Sequence, residues 1–113
     1  VKLEMSRDNP AESKLFCMEV VQGAPLLLKE LETPLKALLD AKSAVINEWI
    51  NAGKLKSVDP IHLIFSIWAI TQHYADFSVQ IKAVTGKDLS DPAFFNSTLS
   101  NIQHIILDGL KPA

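Results

Sequence analysis

Trp68 and Gln72 lie four positions apart in a stretch rich in Ile and Phe, so on a helix their side chains are neighbours on one face. A carboxamide presents a donor and an acceptor side by side, which complements the imide or amide edge of a nucleobase or similar planar ligand. An indole offers a flat face for such a ring. The competing reading is structural: Gln72 bonds to backbone or a neighbouring helix while Trp68 fills the core. An unpaired buried amide costs roughly 1–3 kcal/mol, so some partner is required in either case. Spacing alone favours the structural reading.

Other residue types give less. His62, His73 and His104 are the three imidazoles. His73 and Asp76 are three apart and share a helical face, the spacing of a metal site or an acid–base pair, and an α-helical enzyme built on them is a competing hypothesis. A single histidine in an apolar helix is more often a hydrogen-bonded structural group. Cys17 sits between Phe16 and Met18 and reads as a small core residue, with no cationic neighbour in sequence to activate a thiolate. Glu30-Leu31-Glu32 reads as a solvated edge. No phosphate-binding glycine loop, H-E-x-x-H, C-x-x-C or G-x-S-x-G is present. The expectation is no catalytic residue, no metal and no cofactor.

The elements that must position these side chains are marked by prolines and glycines. The opening VKLEMSRD reads as the last turns of a helix that begins upstream, and the chain as one domain of a longer protein. Asn9-Pro10 fits an N-cap with proline at the first helical position, and Glu12 is placed to complete a capping box. Gly23 ends that helix, and Pro25 restarts one. Leu27, Leu28, Leu31, Leu35, Leu38, Leu39, Val45, Ile46 and Trp49 recur mostly three or four apart, as in an amphipathic helix. Thr33-Pro34 should kink or briefly break it, with Thr33 able to cap the second piece. Asp59-Pro60 starts a third long helix, over residues 60 to about 84, which Gly86 stops. Ser90-Asp91-Pro92 opens the last helix, over 91–110. No stretch alternates with period two, so the fold class is all-α.

With 113 residues, 48% of them hydrophobic and 21% charged, the chain suits one globular domain. Its net charge is −2 and its eleven Lys and Arg are spread singly, which argues against direct DNA binding by this chain. One cysteine cannot form an internal disulfide, and the longest apolar stretch, 61–75, is too polar to span a bilayer. Cytoplasmic residence is expected, with no membrane partner. The last two long helices are apolar over more than one stripe, and such helices are buried on more than one side. Ile67, Ile70, Tyr74 and Phe77 on the third helix, with Phe94, Thr98, Ile102 and Ile105 on the last, are the expected face of a four-helix homodimer interface.

The strings SRDNP, SKLFCMEVVQGAPLL, LKALLDAKSAVI, DPIHLIFSIWAITQHYADF, AVTG and FFNSTLSNIQHIILDGLKP together resemble the C-terminal domain of TetR-type transcriptional repressors. The likeness is greatest to the branch that governs pyrimidine utilisation and responds to uracil, and it covers essentially the whole chain. It implies a ligand-sensing and dimerising helical bundle whose last two long helices form the dimer interface. DNA would be bound by an N-terminal helix-turn-helix that this sequence does not contain. It also implies that Trp68 and Gln72 face a small planar heterocycle such as uracil or thymine, which reverses the balance that spacing alone had set. Phe16, Met18, Leu27 and Phe65 are the expected apolar walls. The alternative is a dimerisation module without a functional pocket.

Overall fold

The computed structural model describes residues 1–112 and contains helices and turns, with no strand among the described residues. In chain order they are α1 (Lys2–Asp8), α2 (Pro10–Val21), the single turn α3 (Leu28–Glu30), a π-helical turn (Leu31–Leu35), α4 (Lys36–Asn51), α5 (Pro60–Asp76), α6 (Ser78–Thr85) and α7 (Pro92–Leu110).

α5 is the central element, with α1, α2 and α4 packed along it. Its start follows from Asp59, whose Oδ1 accepts from the backbone N–H groups of Ile61 at 2.9 Å and His62 at 3.4 Å, satisfying donors that a helix start leaves open. Asp91 caps α7 likewise, its Oδ1 accepting from the Phe94 N–H at 2.8 Å. Both caps are followed by proline in the first turn, where its missing N–H costs nothing.

The core lies where α1 and α7 meet. Leu3, Leu89, Phe95 and Ile102 are buried there, with Ile70, Tyr74, Phe94, Leu99 and Ile106 packed around them. Ser6 ties α1 to α5 through a buried hydrogen bond, its hydroxyl donating to the Thr71 carbonyl at 2.9 Å. The Arg7 guanidinium lies over the Phe95 ring at 4.5 Å, a contact favoured by the ring quadrupole. These contacts fix α1 against the rest of the molecule.

Local expectations need correction at four places. Asn9 precedes Pro10 but makes no side-chain cap, and no capping box with Glu12 forms. Asn9 is also the C-cap of α1, its N–H held by the Met5 carbonyl at 2.8 Å, so one residue serves two helices. No helix restarts at Pro25: residues 25–27 form a turn, and Glu19 Oε2 accepts there from the N–H groups of Leu26 and Leu27 at 2.7 and 3.0 Å. Thr33-Pro34 neither breaks the helix nor caps it; a π turn passes through it into α4. The wider turn accommodates the N–H that proline lacks. Finally, the helix expected over residues 60 to about 84 is two helices. Phe77, at φ −114° and ψ 29°, separates α5 from α6.

Candidate functional site

α5 turns Ile64, Ile67, Trp68 and Gln72 toward α4, and a cavity of about 720 Å³ opens between them. These positions fall at i, i+3, i+4 and i+8, the spacing of a single helical face. From α4 and the π turn come Leu35, Leu38, Leu39, Val45, Ile46 and Trp49, again at that spacing, with Lys42 among them. Phe16 of α2 and Lys2 of α1 complete the lining. A second, smaller cavity of about 220 Å³ adjoins between α1, α2 and α5. It is more polar, lined by Lys2, Met5, Ser6, Asn9, Glu12, Ser13, Phe16 and Gln72. Lys2, Phe16 and Gln72 therefore belong to both spaces.

Gln72 is half-buried. The α5 hydroxyls that form hydrogen bonds serve their own helix, Ser66 to the His62 carbonyl and Thr71 to those of Ile67 and Trp68. The Gln72 carboxamide bonds to none of the described residues, so it faces the cavities with donor and acceptor uncommitted. Trp68, also half-buried, stands 5.8 Å from Phe65, ring centre to ring centre, with the planes tilted 47°. The lining of a small-molecule site is usually apolar with a few well-placed polar groups, and that is the composition here.

Of the six expected ligand contacts, the structure brings Phe16, Trp68 and Gln72 together. Met18, Leu27 and Phe65 line neither cavity. Met18 is two residues from Phe16, roughly 200° round the helix, and is 60% exposed. Leu27 sits in the turn before α3, and Phe65 is 45% exposed at the edge of the α5 stripe, packed against His62 and Trp68. Sequence reasoning did not place Lys2, Lys42 or the α4 residues at the site, although the α4 periodicity was legible as an apolar face.

The residues expected at a dimer face are divided. Thr98 and Ile102 are buried within their own chain, and Ile70, Tyr74 and Phe94 pack against the same core. Ile67 lines the large cavity. Phe77 and Ile105 remain open to solvent.

The catalytic alternatives find no geometry. His73 stacks on Phe77 with ring centres 5.1 Å apart, while Asp76 accepts from the Ser13 hydroxyl at 2.5 Å. The pair of the competing enzyme hypothesis is thus split between different partners. Burial, and after it the nearby Asp76 carboxylate, pushes the Cys17 thiol up from its ordinary value, away from the reactive thiolate. Among the described residues no group of three or more His, Cys, Asp or Glu is placed to hold a metal. None of the helices described is long and apolar enough to cross a membrane.

An all-α bundle with an apolar ligand-sized cavity fits the C-terminal domain of a TetR-type regulator, and comparison with known families agrees. The chain belongs to the family described as "YcdC-like protein, C-terminal region", whose model matches residues 1–113. It is a regulator-family domain, not an enzyme. Among curated proteins it is similar to the HTH-type transcriptional regulator RutR of Escherichia coli (strain K12), 59% identical over 112 residues, covering 99% of this chain and 53% of the relative. The RutR proteins of Shigella flexneri and Escherichia coli O157:H7 are 59% and 58% identical over the same length. The chain spans about half the length of these relatives.

Proposed function

We propose that this chain is the effector-sensing and dimerising part of a bacterial, cytoplasmic TetR-type transcriptional repressor, and that its effector is uracil or a related pyrimidine such as thymine. Operator DNA is contacted by a separate helix-turn-helix domain; the net charge of −2 gives this part little to hold phosphates with. The observation that carries the reading is the free Gln72 carboxamide beside Trp68 in a cavity whose lining, apart from Lys2 and Lys42, is apolar. Gln72 pairs the polar edge of the ring, and Trp68 with Phe16 covers its faces. A pyrimidine has about eight heavy atoms, and the best small ligands gain about 1.5 kcal/mol per atom, so micromolar affinity is within reach.

Calorimetric titration of uracil into the intact protein tests this. Gln72→Leu keeps the volume and strands the ligand's polar edge, a loss of about 1–3 kcal/mol or roughly ten- to hundredfold in affinity. Unchanged affinity returns Gln72 to a structural role, and a parent protein that binds no pyrimidine leaves the chain a dimerisation module without a functional pocket.

The dimer proposal rests on exposure. Phe77 of the α5–α6 junction and Ile105 of α7 are 52% and 62% exposed. Apolar surface of this kind on a small domain marks an association face when contiguous.

A further inference from the structure

Gln72 cannot by itself decide which pyrimidine it holds. A carboxamide rotated by half a turn exchanges its oxygen and nitrogen. It therefore pairs as well with an imide edge, carbonyl beside N–H, as with an amidine edge, amino group beside ring nitrogen. Something else at the site must set the choice. Lys2 and Phe16 share both cavities with Gln72, and Lys2 is the cation of the three. An ammonium has three donors and no acceptor. It gains from a carbonyl oxygen and loses against an amino group, whose hydrogens it can only confront.

The Lys2 ammonium is free to act in this way. The side-chain ion pairs among the described residues join Arg7 with Asp8, Lys36 with Asp40, Lys82 with Asp88, and Asp108 with His104 and Lys111. None uses Lys2. Its backbone is held in place, because neighbouring Leu3 is buried in the core and Ser6, one turn on, is tied to α5. Glu12 lines the smaller cavity with it and carries an acceptor for a ring N–H, so that cavity holds a charged donor and a charged acceptor besides Gln72.

We propose that Lys2 is the specificity-determining residue of this site, selecting oxo-pyrimidines over amino-pyrimidines by donating to the ring carbonyl at position 4, which an amino group replaces in cytosine. The proposal rests on the reading that Gln72 holds a planar heterocycle. Uracil and cytosine are the probes, since they share a ring and its 2-carbonyl and differ at position 4, oxo against amino, with the adjacent ring nitrogen bearing a hydrogen only in uracil. Each is titrated by calorimetry into the intact protein and into its Lys2→Met and Lys2→Arg variants, with thermal unfolding followed to verify the fold. The parent binds uracil at least tenfold tighter than cytosine. Lys2→Met weakens uracil about ten- to hundredfold, the worth of one charged hydrogen bond, and leaves cytosine within about threefold, so the preference collapses. Lys2→Arg, which keeps the charge and the donors, retains most of it. A Lys2→Met protein that still prefers uracil by the parental ratio overturns the role of Lys2 and leaves the Gln72 site standing. A parent that binds neither base removes both.

Discussion

Buried polar side chains in this molecule are satisfied with few exceptions, and the exceptions are informative. Ser6, Ser13 and Thr71 each have a partner. Ser43 on α4 does not: its Oγ is buried without a hydrogen bond among the described residues. A buried unpaired hydroxyl is a cost without a return. Ser43→Ala should therefore raise stability by about 1 kcal/mol, read as a higher denaturation midpoint at unchanged slope. A drop would mean that the hydroxyl bonds to the helix after all. Gln72 is different, being half-buried and open to a cavity, so its missing partner is one that a ligand can supply. The chemistry of Trp68 and Gln72 was legible from residue type and spacing. That of Lys2 was not, because nothing local brings α1 beside α5; the tertiary contact of Ser6 with Thr71 does.

Helix starts were legible where a side chain does the capping. Asp59 and Asp91 carry the signal and make the bonds, whereas Asn9 carries it and does not, since its backbone already closes α1. Asp91→Ala should cost about 1 kcal/mol, measured by chemical denaturation, and Asn9→Ala a few tenths at most. Equal losses would contradict the cap assignment. The bend at Phe77 was not legible, because no glycine or proline marks it. The π turn was half legible: Pro34 announced an interruption, but its form depends on α4 continuing straight on to line the cavity. Ala24 shows the same limit. It takes the left-handed conformation, φ 54°, immediately after Gly23, and it is buried, a strain of the order of 1–3 kcal/mol that only surrounding structure sustains.

The whole molecule is a slab of 42 × 37 × 18 Å with a radius of gyration of 15.8 Å. A compact domain of this length has a radius of about 13 Å, so the helices are spread and leave apolar faces open. The all-α class and the apolar α7 were plain in the sequence. Which of their residues turn inward was not, because Thr98 and Ile105, seven residues apart, lie on nearly the same stripe of α7, yet one is buried and the other open. If α7 meets a second copy through its open side, Ile105→Glu should shift the protein from dimer to monomer in sedimentation at micromolar concentration. The fold should survive, because residue 105 lies outside the core. A parent that is already monomeric at that concentration would contradict the dimer.

The central claim is that the space between α2, α4 and α5 holds a planar heterocycle by its polar edge. The most direct measurement is a crystal structure of the intact protein with uracil bound. The expected result is the pyrimidine edge within about 3 Å of the Gln72 carboxamide, its ring against Trp68 or Phe16 and a carbonyl oxygen toward Lys2. Uracil bound elsewhere, with Gln72 turned to solvent or bonded to its own chain, would contradict it.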